Sequence, residues 1–300
     1  MPGSQAAATS SFPPTVYTGT AGQLTTASAA LKGSVDPRGQ QTSYYFQYGE
    51  NAAYEAQSPL TPVGAGTQTI HVSVSIAGLL AGTTYHYRLV AVNASGTVDG
   101  LDQTFTTRKI PLTFTLAAVP SPDVFGTPFS VTGTLSGTGS ASQAVELQVN
   151  PFPYLGGFKV VGNPELTNAD GSFSFAVAPP QQTAQLRIVA LTTPPANSKV
   201  LVERVAVRVT LQLRPTGRHG FARLYGTVTP AEVGAQVRFQ LLRPGRKLLN
   251  VGATLVRHRS STVSEFSRVL HIRRAGLYRA FVRIVSGAQE SGQSRVILIR

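Results

Sequence analysis

The sequence predicts an all-β protein made of three tandem β-sandwiches, and three observations support this prediction. A short phrase with a central glycine recurs at domain spacing, as Leu31–Val35, Val131–Leu135 and Leu224–Val228. Glycine and proline, with 29 and 20 residues in a chain of 300, indicate many turns. Many segments alternate apolar and polar residues with the period of two that is typical of strands.

The repeated phrase also fixes a register between two of its copies. Gly33 lies 52 residues before Tyr85, and Gly226 lies 52 residues before Tyr278. Each tyrosine opens a strongly alternating apolar segment. Because so long a separation is kept only when the intervening strands correspond, both regions are predicted to share one sandwich topology of about 100 residues.

The composition excludes several classes of protein. The chain has no cysteine, which excludes disulfides, thiolate metal sites and cysteine nucleophiles. It has no uncharged apolar run of about 18 residues, so no transmembrane helix is predicted. Residues 1–12 are predicted to form a flexible lead-in, because they have neither the basic start nor the apolar centre of a signal peptide.

The first predicted domain covers residues 13–108 and carries clear strand signals. Tyr44–Tyr48 alternates as a core strand, and Ile70–Ile76 places its apolar residues on one side. Leu79, a turn and Tyr85 are spaced as in a tyrosine corner, in which the tyrosine hydroxyl bonds to the backbone upstream.

This domain carries the most specific resemblance to a known family. The tyrosine-corner stretch, together with Pro13–Val16, Leu31–Gly39 and Gln103–Thr107, resembles the fibronectin type III domains of secreted and surface proteins in high-GC bacteria. The resemblance implies an extracellular or cell-surface protein without enzymatic activity. It does not extend to an Arg-Gly-Asp adhesion triplet, because glutamine follows the Arg-Gly pair of the second segment.

The second predicted domain, residues 109–207, follows the same pattern with one difference. Val145–Val149 alternates as a central strand, and Asn168–Phe175 joins an Asp-Gly turn to a strand. Gln185–Ala190 has no tyrosine where the other two copies have one, so no corner hydrogen bond is predicted. The domain resembles the Ig-like and carboxypeptidase-regulatory-like modules of bacterial surface proteins.

The third predicted domain, residues 208–300, is strongly basic and shares this Ig-like resemblance. It has seventeen Lys and Arg against three Asp and Glu, so it accounts for the net charge of +13. Val237–Leu241 is predicted as a central strand, and Ala275–Ile284 as the strand of a second tyrosine corner at Tyr278.

Alternation in this domain predicts a cluster of arginines on one exposed face. The central strand turns Arg238 outward, and the corner strand turns Arg279 and Arg283 outward. These strands are neighbours in one sheet of a sandwich. The sequence therefore predicts an anion-binding face of Arg238, Arg279 and Arg283, joined by Arg295 from the final strand.

The predicted partner of this face is an anionic polysaccharide or cell-envelope polymer, which guanidinium groups bind by bidentate pairing. Nucleic acid is disfavoured, because neither an interleaved aromatic platform nor a groove-entering helix is visible. A second interpretation stays open. Arginine outnumbers lysine 21 to 5, a bias that high-GC coding also produces, and charged strands also block edge aggregation.

No catalytic, cofactor-binding or metal-binding residue is predicted. The five histidines are dispersed, and His71, His86 and His271 are expected on solvated strand faces. There is no Gly-x-Ser-x-Gly elbow. Asn168–Gly171 lacks the later carboxylates of a calcium loop, so it is predicted to be a turn.

The sequence leaves three functional hypotheses. The first is a non-catalytic, surface-exposed spacer with stiff connections, because the linkers Thr107–Pro111 and Ala206–Arg208 are short. The second is a binding module that holds an anionic polymer on its third domain. The third, a glycan-processing enzyme, requires two carboxylates held in a cleft, and a row of small sandwiches does not predict such a cleft.

Overall fold

The computed structural model describes residues 12–119 and 122–300, and the regular structure in them is β throughout. The all-β prediction is confirmed. The predicted lead-in, apart from Phe12, lies outside the described residues. The chain divides into two compact units, residues 1–111 and 112–300. In the described part, no helix is long and apolar enough to span a membrane.

The first unit is one sandwich of two antiparallel sheets. Its strands are β1 (Thr15–Thr18), β2 (Ser28–Asp36), β3 (Thr42–Gly49), β4 (Ala56–Gln57), β5 (Thr61–Gly64), β6 (Ile70–Ala77), β7 (Thr84–Asn93), β8 (Gly96–Asp99) and β9 (Gln103–Thr106). One sheet has the order β1-β2-β6. The other has the order β4-β3-β7-β8, with β5 also paired to β3 and β9 to β7.

The core of the first sandwich contains the residues that alternation predicts to point inward. Phe46 and Leu89 are fully buried between the sheets, as is Tyr87. The Tyr87 hydroxyl donates to the Gly19 carbonyl at 2.6 Å and accepts from the Ala21 N–H at 2.7 Å. A buried tyrosine therefore fixes the loop that follows β1 to the core.

The second unit begins with another sandwich. Its strands are β10 (Thr113–Val119), β11 (Asp123–Val124), β12 (Phe129–Ser136), β13 (Ala144–Pro151), β14 (Lys159–Leu166), β15 (Ser172–Val177), β16 (Ala184–Ala190), β17 (Ala196–Asn197), β18 (Leu201–Glu203) and β19 (Val205–Ala206). The sheets have the orders β10-β12-β15 and β14-β13-β16-β17, with β18 also paired to β16. Leu135, Leu147 and Ile188 form the centre of its core.

The third sandwich completes this unit. Its strands are β20 (Arg208–Val209), β21 (Gln212–Pro215), β22 (Phe221–Thr229), β23 (Gln236–Leu242), β24 (Leu249–Leu255), β25 (Arg257–His258), β26 (Ser264–His271), β27 (Gly276–Arg283), β28 (Gly292–Gln293) and β29 (Ile297–Ile299). One sheet has the order β20-β22-β26-β25, with β21 also on β22. The other has the order β24-β23-β27-β28, with β29 also on β27.

The glycine of the repeated phrase occupies an equally crowded position in each sandwich. A methyl group on Gly33 would lie 2.7 Å from the Tyr17 carbonyl oxygen and from Leu89. At Gly133 and Gly226 it would lie 2.7 Å from a phenylalanine ring and against a carbonyl oxygen of the adjacent strand. The phrase recurs because the first strand of each sandwich passes too close to the second for any side chain there.

The boundary between the second and third sandwiches is a hydrogen-bonded stretch. β19 pairs in parallel with β11, and Ala206 forms a parallel bridge with Glu290 of the third sandwich. The Phe125 N–H donates to the Ala206 carbonyl at 2.8 Å, and the Glu290 N–H donates to the Val205 carbonyl at 2.7 Å. Val207 in turn donates to the Glu290 carbonyl at 3.1 Å. The short linker that the sequence predicts here is thus paired on both sides.

Candidate anion-binding face of the third sandwich

The candidate site is the outward face of the sheet that contains β23 and β27. These strands pair antiparallel, with Arg238 opposite Phe281, and with Arg279 and Arg283 opposite Gln240 and Gln236. The alternate residues of both strands are buried in the core. The register therefore brings Arg238, Arg279 and Arg283 onto one outward face, which we call the arginine face, with Phe281 between them.

Neutral side chains orient the guanidinium groups of the arginine face. Arg238 Nε donates to Gln236 Oε1 at 2.8 Å, and Arg279 Nε donates to Gln240 Oε1 at 3.0 Å. Arg279 also donates to Gln293. A guanidinium carries five N–H groups in a planar fork, so these bonds orient it and leave donors for a ligand.

The three acidic residues of the third sandwich lie away from the arginine face. Glu232 follows β22, and burial raises the pKa of its carboxyl group. Glu265 belongs to β26 in the opposite sheet. Glu290 lies at the boundary with the second sandwich, 3.6 Å from Arg204 Nε. The positive charge of the face is therefore not neutralised by a carboxylate of its own domain.

Arg295 lies beside this face rather than in its register. It belongs to an irregular stretch between β28 and β29. There it lines a groove of about 610 Å³ together with Arg208 and Gln293. The sequence predicts one continuous final strand, but it is interrupted here, because the Ser294 hydroxyl and not a main-chain carbonyl accepts from the Ala280 N–H at 3.0 Å. The place of Arg295 in the arginine face stays a prediction.

The two predicted corner tyrosines bond to the backbone upstream of them. The Tyr85 hydroxyl accepts from the Leu80 N–H at 2.9 Å. The Tyr278 hydroxyl donates to the Arg274 carbonyl at 2.6 Å, and burial raises its pKa. In the second sandwich the equivalent position of β16 is taken by Leu186, which is fully buried and has no hydroxyl group.

Sequence reasoning missed a polar network on the outer face of the first sandwich. Asp102 accepts from the Tyr54 hydroxyl at 2.7 Å and from His86 Nδ1 at 2.8 Å. Arg88 lies 4.7 Å from the Tyr54 ring centre and forms an ion pair with Asp99 at 2.8 Å. His86 is therefore bonded to a carboxylate rather than merely solvated. No spacing rule links these residues, because they come from different parts of the sheet. His86 and Arg88 belong to β7, Asp99 belongs to β8, and Tyr54 and Asp102 lie in loops.

The network shifts the ionisation of two of its members. Burial raises the pKa of the Tyr54 phenol, and the hydrogen bond and negative charge of Asp102 raise it further, to about 12. Burial alone raises the pKa of the Asp102 carboxyl, but hydrogen bonds from His86 and Tyr54 outweigh it and lower the value. The network therefore favours a neutral phenol and an ionised carboxylate.

In residues 12–119 and 122–300, no group of three or more His, Cys, Asp and Glu is placed to hold a metal ion. Asn168–Gly171 forms a turn in which the Gly171 N–H donates to the Asn168 carbonyl at 2.9 Å, as predicted. His258 lies in the short strand β25.

Comparison with known proteins yields similarities of fold. No model of a protein family matches the chain, and no curated protein sequence matches it. A tetra-tandem repeat from the extending region of a large adhesion protein is 16% identical, with a TM-score of 0.39, covering 96% of this chain and 74% of that one. The structure itself shows antiparallel sheets packed as three sandwiches around three cores in the described residues.

Two further solved structures are similar over nearly the whole chain. The fibronectin domains of chicken CNTN1 are 15% identical with a TM-score of 0.30, covering 96% of this chain and 99% of that one. A segment of titin domains is 13% identical with a TM-score of 0.39, covering 95% and 98%. Structural similarity of this degree does not bear on function.

Proposed function

We propose that this chain is a non-catalytic spacer protein of the cell surface or extracellular space. Its resemblance to domains of bacterial surface proteins supports a bacterial envelope as the setting. The observation that carries the spacer role is the boundary between the second and third sandwiches. A spacer must keep its domains in fixed relation, and a boundary made of paired backbone resists bending more than a free linker does.

Further contacts across this boundary support a stiff connection. The Thr183 N–H donates to the Ala288 carbonyl at 2.7 Å, and Gln289 Nε2 donates to the Gln181 carbonyl at 3.1 Å. On the second-sandwich side, the Thr183 hydroxyl accepts from the buried Val205 N–H of the boundary stretch at 3.3 Å. Bending here would break several backbone bonds at once, and a buried N–H left unpaired costs about 1–3 kcal/mol.

Pulsed electron-electron distance measurement tests this stiffness directly. The chain has no cysteine, so Ser136→Cys with Ser261→Cys places one spin label on each sandwich at exposed positions. Ser136→Cys with Lys199→Cys, both in the second sandwich, gives the width expected within one rigid domain. We expect the two distance distributions to be equally narrow.

A junction variant provides the control. Combining Thr183→Val with Gln289→Ala in the labelled chain removes the two side-chain contacts, and we expect the distribution between the sandwiches to broaden. The spacer proposal fails if the unaltered junction already gives a distribution much wider than the pair within one sandwich.

We also propose that the arginine face holds an anionic polysaccharide or a cell-envelope polymer. The observation in its favour is the set of three guanidinium groups that share one face with neutral amides and no carboxylate. Repeating anionic groups pair with such donors, and the attraction weakens as salt screens it. Phe281 between the arginines adds an apolar surface for a sugar ring.

Affinity chromatography separates specific binding from general basicity. The variant Arg238→Ala, Arg279→Ala, Arg283→Ala is compared with Arg214→Ala, Arg223→Ala, Arg259→Ala, which removes the same charge from exposed positions of this sandwich away from the arginine face. We expect only the first variant to elute from heparin at markedly lower salt. Equal loss in both would show that only net charge matters, and parallel columns of heparin and poly(glycerol phosphate) distinguish sulfated from phosphate polymers.

A further inference from the structure

A second concentration of basic groups lies at one end of the third sandwich, apart from the arginine face. A cleft of about 500 Å³ opens there between the β23–β24 hairpin and the segment after β26. Its volume is within the range of small-molecule sites in proteins, about 300–1,000 Å³. The ionisable side chains that line it, besides the Tyr278 phenol, are all basic: Arg243, His271, Arg273 and Arg274.

The hairpin turn fixes the first of these arginines. Pro244 and Gly245 follow Arg243, Gly245 has φ +68°, and the Arg246 N–H donates to the Arg243 carbonyl at 3.0 Å. This is the turn that a Pro-Gly pair favours. The Arg243 guanidinium then donates through Nη2 and Nε to the Lys247 carbonyl at 2.7 and 3.2 Å. The group is held in place before any ligand arrives.

The tyrosine corner fixes the opposite wall of the cleft. Tyr278 is one of the residues that line the cleft, and its hydroxyl donates to the Arg274 carbonyl at 2.6 Å. In the first sandwich the corresponding bond reaches Leu80, an apolar residue. The same structural device, applied to the third sandwich, therefore positions a pair of consecutive arginines.

Arg273 and Arg274 also line a neighbouring cleft of about 460 Å³, together with His219 and Arg300. Between the clefts, the ring of His271 stacks on Phe221 with centres 4.8 Å apart. The guanidinium of Arg218 lies over that Phe221 ring at 4.5 Å. Neither cleft is lined by an acidic residue.

We infer that this basic end of the third sandwich is an anion-binding site for a phosphate or sulfate group. Guanidinium groups that line one cleft repel one another until an anion neutralises them, and their planar N–H forks match tetrahedral oxyanions. The concave shape suits one group with the sugar or glycerol unit that carries it. The site is independent of the arginine face and does not rest on polymer binding there.

Titration calorimetry on the full chain tests the inference, with inorganic pyrophosphate and inorganic sulfate as separate probes at equal ionic strength. The variant Arg273→Ala, Arg274→Ala is expected to lose at least tenfold in affinity for the preferred probe. The matched control Arg238→Ala, Arg283→Ala removes the same charge from the arginine face, and we expect a change of less than twofold. The better probe identifies the phosphate or the sulfate source.

A second measurement does not depend on the alanine variants folding. Long-range proton–nitrogen spectra of the unaltered chain report the His271 ring, and we expect its signals to shift with added probe while those of His71, exposed in the first unit, stay unchanged. The variant Arg273→Lys, Arg274→Lys keeps the charge and is expected to bind several-fold more weakly because it lacks the planar fork. Equal losses in both alanine pairs, or an unmoved His271 signal at saturation, would overturn the inference.

Discussion

At the scale of single residues, close approach and buried hydrogen bonds decide which side chain each position accepts. The recurring glycine is the clearest case, because Gly33, Gly133 and Gly226 each lie where an adjacent strand and an apolar side chain leave no room for a Cβ atom. The Asp102 network is the opposite case. There the sequence around each residue does not indicate its hydrogen-bond partner, and the pairing of neighbouring strands determines which side chains meet.

Gly133→Ala is expected to destabilise the second unit. The new methyl group would lie 2.7 Å from Phe173 Cζ and against the Thr115 carbonyl oxygen, and such overpacking costs about 1–3 kcal/mol. Urea unfolding followed by circular dichroism measures the change. Gly156→Ala is the matched control in the same sandwich, because nothing lies within 4 Å of the added group. Equal stability of the two variants would show that strand β10 moves aside readily.

Tyr54 is expected to lose its phenolic proton late in an alkaline titration, with a pKa of about 12 instead of the ordinary 10.0. The pKa is raised in the folded state, so the stabilisation is fully present below pH 10 and is lost as the pH rises through about 12. Ultraviolet difference titration of the parent chain against Tyr54→Phe isolates this group.

The same titration tests the source of the shift. Asp102→Asn removes the negative charge beside the phenol, so it is expected to bring the Tyr54 pKa part of the way back to its ordinary value. Asp36→Asn, which removes a charge elsewhere in the first unit, is expected to leave it unchanged. A Tyr54 pKa that stays near 12 in Asp102→Asn would assign the whole shift to burial.

At the scale of elements, alternation and turn chemistry determine the strands and their faces. The Asp-Gly and Pro-Gly turns form where their residues favour them, and Gly171 and Gly245 both have positive φ. The tyrosine corner connects one such strand to the loop before it. It spans four residues in the third sandwich and five in the first, which shows that the hydroxyl adapts to loops of different length.

Tyr278→Phe is expected to lower the free energy of unfolding of the second unit by about 1 kcal/mol, because it removes one hydrogen bond beside a buried ring. Chemical denaturation of the two-sandwich unit measures the loss. Tyr225→Phe is the control, because its half-buried hydroxyl makes no hydrogen bond to the described residues. The same variant tests the role of the corner in the basic cleft. If the Tyr278 hydroxyl positions Arg274, Tyr278→Phe is expected to bind pyrophosphate more weakly than the unaltered chain. An unchanged affinity would show that the bond serves stability alone.

At the scale of the whole molecule, the chain divides into two compact units, and its described residues form three hydrophobic cores. The second unit contains two sandwiches, each with its own core. Paired backbone at their boundary joins them into one unit. Val207 belongs to the core of the third sandwich, although the sequence places the boundary after it. Charge is also unevenly distributed at this scale, because most of the basic residues belong to the third sandwich.

Fragments cut at different points are expected to differ in thermal stability. A fragment of residues 208–300 lacks Val207 and the backbone bonds to Glu290, so its melting temperature is expected to lie about 5 °C or more below that of residues 204–300. Residues 112–300 should be at least as stable as the longer fragment. Differential scanning calorimetry measures the three, and equal melting temperatures for the two shorter fragments would show that the boundary stretch adds no stability.

The sequence by itself determined the all-β class, the strand faces and the corner tyrosines. Alternation and turn residues are local signals, and the recurring glycine marks a position where sterics exclude every other residue. The outward positions of Arg238, Arg279 and Arg283 followed from the same period of two once β23 and β27 were taken as neighbours.

Only the tertiary structure decided which distant residues meet. Arg243 and Arg274 share a cleft because a hairpin and a corner lie at the same end of the sandwich, and no spacing in the sequence expresses that. Arg295 lies outside the paired strands because the Ser294 hydroxyl, and not a main-chain carbonyl, accepts from the Ala280 N–H there. The linker before the third sandwich pairs with β11 on one side and with Glu290 on the other. It does so because buried backbone N–H and C=O groups need hydrogen-bond partners.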